Sequence, residues 1–296
     1  MPTSPTNLWI WLTPALAALV LYGVGQGLVK KWIAEVPPAR FCLYFVLAKA
    51  IVNLGYFFTQ DHPPLTAPEG QQFMMMGLLA YLLDGTGWIL YFKSIMAGPI
   101  TIVGTLSAAY PAVTILFARF FLGEELVPLQ YVGVAAVIFG CIGLSYSPPD
   151  ATKKKTDRKW VLYAGSALLI WGAAQTIVKY SYSLPNSSEA TMAFLNTIGG
   201  ALTLGVYGFL YGRQGRHSAG EWVKSFLPMG MMAAGDLGVI IASKFGPISV
   251  VSPLTGAYPV VTLGFAALVL KERIALYQWA CIALILVGMF ISPGAS

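Results

Sequence analysis

The chain has 296 residues, of which 57% are hydrophobic and only 10% charged, where a soluble domain carries roughly 25% charged residues. With a mean hydropathy of +0.70 it lacks the polar surface to coat a globule in water, which excludes a soluble enzyme or binding module. The net charge of +6 does not point to nucleic acid, because the basic residues sit in short connections rather than on a folded face; the anionic cytoplasmic leaflet is their expected partner.

The apolar residues fall into stretches of about twenty, the length a helix needs to cross ~30 Å of hydrocarbon. In chain order the expected spans are 8–29, 38–58, 71–96, 99–121, 128–146, 159–180, 188–211, 222–244, 247–270 and 276–292. Helix is the expected state, since a backbone in lipid must satisfy its own hydrogen bonds and the alternation of barrel strands is absent. The first span lacks a basic leader and is long enough to cross, so it reads as a retained helix. Trp9, Trp11, Trp160, Trp222 and Trp279 fall near proposed ends, where amphipathic rings favour the membrane interface.

Several polar residues interrupt these runs. Gln26 lies in span 1, with Lys30 at its end. Span 2 carries Lys49 and, one turn along the same face, Asn53. Asp84 sits near the middle of span 3, followed by Trp88. Span 4 contains Tyr110-Pro111 and Thr114. After span 5 comes the one strongly charged connection, with Lys153, Lys154, Lys155 and Arg158. Span 6 holds Trp171, Gln175 and Lys179. Span 7 is rich in small residues (Gly199, Gly200, Gly205, Gly208) that allow close approach of neighbouring helices. Asp236 sits near the middle of span 8, and span 9 contains Pro253, Tyr258-Pro259 and Thr262.

The connections after odd-numbered spans hold fourteen of the 18 Lys and Arg residues. This distribution puts those connections in the cytoplasm and both termini outside, with a plasma or inner membrane as the expected location. Cys42, Cys141 and Cys281 all lie in apolar runs and read as buried free thiols.

The two halves repeat one another. Residues 98–140 laid over 246–288 without gaps give seventeen identities in forty-three positions, including Gly98-Pro99 with Gly246-Pro247, Tyr110-Pro111 with Tyr258-Pro259, and Glu124 with Glu272. Gln26 and Lys30 lie over Gln175 and Lys179. The division is 1–147 for the first module, 148–158 for a charged cytoplasmic linker and 159–296 for the second module. Five spans per half is an odd number, so consecutive halves enter the membrane from opposite sides, an inverted-topology repeat typical of secondary transporters. The expected fold is therefore all-α, with ten transmembrane helices as a 5+5 inverted repeat.

Two five-helix units, each with G-P-I-[ST] entering a helix, an A-Y-P-x-V-T core, a following L-[GK]-E and a Gly-rich last span, resemble the EamA-type branch of the drug/metabolite transporter superfamily. The resemblance implies a carrier for a small metabolite, with a central cavity lined mainly by helices 1, 3, 4, 6, 8 and 9. Many members keep their termini cytoplasmic, which the charge distribution here opposes.

The candidate substrate-binding residues are Gln26, Asp84, Trp88, Tyr110 and Thr114 in the first half, with Trp171, Gln175, Asp236, Tyr258 and Thr262 in the second. An acid at mid-membrane depth costs about 2.5–3.5 kcal/mol and faces a cavity or a partner. Asp84 and Asp236 are thus expected either to bind a proton or a substrate cation, coupling occupancy to conformation, or to form a structural ion pair, with Lys49 as the partner of Asp84. Lys49 has the alternative of anchoring a carboxylate or phosphate. Pro111, Pro253 and Pro259 are candidate hinges; each removes a backbone donor, exposing the Ser107 and Thr255 carbonyls at Tyr110-Pro111 and Tyr258-Pro259, and a packing kink without a ligand is the other reading. Gln26 and Gln175 bind substrate or bond across helices, and Lys30 and Lys179 snorkel to the interface.

No cofactor, no metal and no catalytic residue is expected. His62 and His217, the two histidines, lie in loops, and no Walker or G-x-S-x-G pattern occurs. The expected partners are a small-molecule substrate, membrane lipids and protons as the coupling ion, in a monomer or homodimer. Two readings compete with a carrier. An intramembrane aspartyl enzyme would use the two acids, but the repeat accounts for both without catalysis. A non-transporting scaffold or receptor has no need of paired kinks around central acids, and tracer flux would separate it from a carrier.

Overall fold

Aliphatic and aromatic runs bounded by proline, serine and glycine fold here as helices. The computed structural model describes residues 8–32, 36–97, 110–145, 159–213, 220–269, 271 and 275–291, with no strand among them. The first half contributes α1 (Leu8–Trp32), α2 (Pro38–Thr59), α3 (Gln71–Ala97), α4 (Tyr110–Phe117, extended by a π turn over Ala118–Leu122) and α5 (Pro128–Ser145). The second contributes α6 (Lys159–Ser181) and α7, which runs Glu189–Gly200, a π turn over Ala201–Gly205, then Val206–Tyr211. It continues with α8 (Glu221–Phe245), α9 in two pieces (Ile248–Gly256 and Pro259–Val269) and α10 (Leu276–Ile291). Among the described residues, seven helical segments are long and apolar enough to cross a membrane, and three further apolar helices are shorter. The start of the expected fourth span, with Gly98 to Thr101 and Ser107, lies outside the described residues, as do the central linker, His217 and Glu272.

Local chemistry fixes the ends. Proline at the first position of α2 loses no helical bond there. Ser188 accepts the Thr191 N–H at 3.4 Å ahead of α7. Gly123 leaves α4 with φ of 67°, and the aligned Lys271, beyond α9, has φ of 56°. The same left-handed residue thus follows both helices, comfortable for glycine and uncommon for lysine. In α9 the helix runs unbroken through Pro253, a candidate hinge, and is interrupted instead at Ala257–Tyr258, beside the candidate hinge Pro259. Pro253 forfeits one hydrogen bond and the turns around it hold. At the interruption, Tyr258 N–H reaches the Thr255 carbonyl at 3.4 Å, so that carbonyl is not left bare as the sequence implied.

The helices pack in pairs that recur when the halves are exchanged. α1 runs antiparallel to α8: Gly25 meets Met232, Gly235 meets Tyr22, and Gly246 meets Trp11. α3 runs antiparallel to α6, the Ser94 hydroxyl donating to the Trp160 carbonyl (2.9 Å) and Trp171 Nε1 to the Asp84 carbonyl (3.2 Å). α2 packs on α8 as α7 packs on α3, α4 packs on α6 as the second piece of α9 packs on α1, and the α2–α7 and α5–α10 pairs are their own counterparts. Gly256 brings the two Tyr-Pro motifs together, since a Cβ there would lie 3.0 Å from Pro111.

Large apolar side chains such as Leu276, Phe290, Leu268 and Phe120 point outward, a surface suited to hydrocarbon. Trp9, Trp222 and Trp279 are exposed near helix ends, whereas Trp11 is buried against Gly246 and serves packing rather than the interface. Of the four α7 glycines, Gly199 admits Tyr81 and Gly208 admits Leu43, while Gly205 has only ordinary contacts. Gly85, next to Asp84, meets the π turn of α7 more closely still, because a Cβ there would fall 1.9 Å from Thr203 Oγ. Gly85→Ala is therefore expected to lower stability by about 1–3 kcal/mol, measured by thermal unfolding of the purified protein.

Candidate functional site

A cavity of ≈ 90 Å³ lies between the halves, with room for several water molecules. α1 supplies Tyr22 and Gln26 to it, α3 supplies Asp84 and Trp88, and α8 supplies Asp236. Trp171 and Gln175 come from α6, Asn196 from α7, Tyr110 from the first described turn of α4, and Tyr258 from the interruption in α9. The lining thus includes α7 in addition to the helices expected.

The charged groups form one cluster. Lys49 of α2 is 1% exposed and places Nζ 2.8 Å from Asp236 Oδ2 but 4.0 Å from Asp84 Oδ2. The Tyr22 hydroxyl donates to Asp236 Oδ1 at 2.5 Å. Lys49 was expected either to pair with Asp84 or to anchor an anion; it does pair with Asp84 at 4.0 Å, but its closer partner is the acid of the other half, because α2 packs on α8 and carries the ammonium to Asp236. Its Nζ also lies over the Phe45 ring at 4.5 Å. Lys49 does not line the cavity, so an anchor for an anionic substrate is not what its placement offers. Asn53, on the same face, bonds Asn196 across to α7 (3.0 Å) rather than extending the charged cluster.

Aromatic rings lie beside this cluster. Trp88 and Trp171 meet edge to face at 5.2 Å between centroids, Tyr91 lies 5.5 Å from Trp171, and Tyr110 lies 6.0 Å from it. Gly87 leaves room for this, since a Cβ there would sit 2.6 Å from Trp171 Nε1.

Eight of the ten expected binding residues line the cavity; Thr114 and Thr262 do not. Thr114 is buried, accepting from the Ser252 hydroxyl (3.3 Å), and Thr262 donates to the Gly23 carbonyl (3.0 Å). Both threonines therefore tie helices together, which accounts for their repetition as well as ligand binding would. Tyr22, Tyr81, Tyr91, Asn196 and Met232 line the cavity without having been singled out. The repeat offered a signal for Tyr22, which lies over Trp171 in the aligned halves.

Beyond the lining residues Val178 and Ile240, a clasp surrounds the α8–α9 corner. Lys179 donates to the Ser243 (3.0 Å) and Gly246 (2.6 Å) carbonyls where α8 ends. Glu124, from the α4–α5 connection, accepts the Ile248 N–H (3.1 Å), the Ser249 N–H (3.0 Å) and the Ser249 hydroxyl (2.6 Å) where α9 begins. Each charge complements the helix end it meets. Lys179 was expected to snorkel to the interface; the unfilled carbonyls at the end of α8 hold it inside. Glu189 and Lys244 pair at the same end, and Tyr182 donates to the Ile240 carbonyl (2.9 Å). At the opposite end, Arg40 makes a buried 2.7 Å pair with Glu221 and donates to the Gly212 carbonyl (2.9 Å).

A crystal structure matches over 95% of both chains with a TM-score of 0.76 and 19% sequence identity, which shows a shared fold. No curated protein matches the chain in sequence. The model of the EamA-like transporter family matches residues 9–146 and again residues 158–292. With both halves matched, and both contributing to a cavity that holds acidic, amide and aromatic side chains among apolar helices, this integral membrane protein belongs to the EamA-like transporter family.

Proposed function

We propose that the protein is a secondary transporter that moves a small polar or amphipathic metabolite by alternating access. Ten transmembrane helices form two five-helix modules of opposite orientation; the antiparallel courses of α1 with α8 and of α3 with α6 support this. The modules rock about the cavity, flexing at Pro111 and at the interruption before Pro259. The basic connections after α1, α3, α5, α7 and α9 lie in the cytoplasm and both termini outside, in a plasma or inner membrane.

The observation that carries this reading is the Asp84–Lys49–Asp236 cluster, which joins both halves at the cavity wall. A scaffold gains nothing from burying three charges at the junction of two modules, whereas a carrier uses them to make occupancy and conformation interdependent. The acids serve as the coupling groups, with the proton as the coupling ion. Tracer flux into proteoliposomes provides the test. Asp236→Asn and Asp84→Asn are each expected to lower flux at least tenfold at normal reconstitution, and unchanged flux and pH dependence in both variants rejects the proposal.

A further inference from the structure

We infer that the substrate is an organic monocation, an ammonium group on an apolar or aromatic body, held at Asp84 in competition with a proton; this rests on the transporter reading above. The first ground is charge balance. The cavity cluster contains two carboxylates and one ammonium, and the ammonium is spent on Asp236 at 2.8 Å. Asp84, at 4.0 Å from Lys49 and 21% exposed, is the less neutralised and the more open to the cavity, where Asp236 is 13% exposed. One cation completes the site. An anion would meet excess negative charge, with Lys49 screened behind the acids.

The second ground is what surrounds Asp84. Gln175 Oε1 is buried at the cavity and accepts no hydrogen bond among the described residues, so the site presents a spare acceptor. An ammonium N–H satisfies it; a carboxylate or phosphate does not. Trp88, Tyr91, Tyr110 and Trp171 line the cavity, and aromatic rings at such a site attract a cation and accommodate an apolar body. Among the described residues, the titratable groups that interact with Asp84 are Lys49 from α2, Asp236 from α8, Tyr22 from α1, Tyr110 from α4 and Tyr81 from its own helix, and Lys49 is the one cation among them. A proton on Asp84 removes the excess charge as the substrate does, so the two exclude one another and affinity falls as pH is lowered.

The test is isothermal titration of the purified full chain at pH 8 with three probes of similar shape: phenethylammonium, phenethyl alcohol and 3-phenylpropionate. The ammonium is expected to bind roughly tenfold or more tightly than the alcohol, as a hydrogen bond to a charged group allows, and the carboxylate to bind weakest. Asp84→Asn should erase the preference for the ammonium. Trp88→Leu, which keeps apolar bulk but removes the ring, should weaken the ammonium several-fold and leave the alcohol within twofold. Lowering the pH to 5.5 should weaken the ammonium alone. Equal or tighter binding of alcohol or carboxylate, no binding of any probe, or an unchanged ammonium affinity in Asp84→Asn overturns the inference. Tracer flux of an uncharged or anionic solute that depends on Asp236 would overturn it while leaving the transporter reading intact.

Discussion

Replacing Lys49 by methionine is expected to destabilise the fold by about 3–5 kcal/mol, the cost of removing one partner from a buried ion pair. The side chain is among the largest that are fully buried, and its ammonium is the counter-charge for Asp236 at 2.8 Å and, more remotely, Asp84 at 4.0 Å. Methionine fills similar volume, so packing changes little and the loss is electrostatic: Asp236 keeps the Tyr22 hydroxyl but no cation. Thermal unfolding of purified Lys49→Met in detergent at pH 7 measures it. The charge assignment is tested by the double variant Lys49→Met with Asp236→Asn, which should regain much of the lost stability because no bare carboxylate remains at the closer site. If the double variant is no more stable than Lys49→Met alone, the pair is not the source of the effect. Adding Asp84→Asn to Lys49→Met should regain less, in keeping with the longer distance.

The two acids were legible from sequence because a charge inside an apolar run is costly and therefore conspicuous. Lys49 was legible as a counter-charge but the acid it lies nearer was not, because sequence gives the depth of Lys49 and not the neighbour its helix faces. The pairing follows from α2 lying on α8, a fact of packing between helices far apart in the chain. Thr114 and Thr262 drew attention as repeated polar residues beside Tyr-Pro; the repeat marked them truly, but for helix–helix bonding rather than for the cavity. Tyr81 and Tyr91 went unmarked because a tyrosine in an apolar helix is common, and only the direction of its face separates a cavity wall from a lipid contact. The family was written in the paired G-P-I and Y-P motifs, and the family match spans both halves. The role of the second Gly-Pro was not written there. It forms the corner whose two helix ends are clasped by Lys179 and Glu124, residues distant from it in sequence.

That clasp leads to the other large effect. Glu124 belongs to the first half and caps α9 of the second, so its bonds must part if the halves separate at that end. Glu124→Ala removes a capping acceptor worth about 1–2 kcal/mol, which corresponds to a shift of roughly five- to thirty-fold in the ratio of two conformations. The direction is set by geometry: the variant favours the state open at the α8–α9 corner. Ile240→Cys reports it, since Ile240 is buried, lines the cavity towards that corner and has its carbonyl held by Tyr182. With Cys281, which is partly exposed, replaced by serine, a membrane-impermeant thiol reagent added from the corner side should label Ile240→Cys several-fold faster in the Glu124→Ala background. Glu124→Gln, which keeps one acceptor oxygen but loses the charge, should fall between. Equal labelling in all three backgrounds means that the clasp does not govern access. Lys179 then neutralises the end of α8 in every state, and the gate at this end must rest on packing around Tyr81 and Ile240 instead.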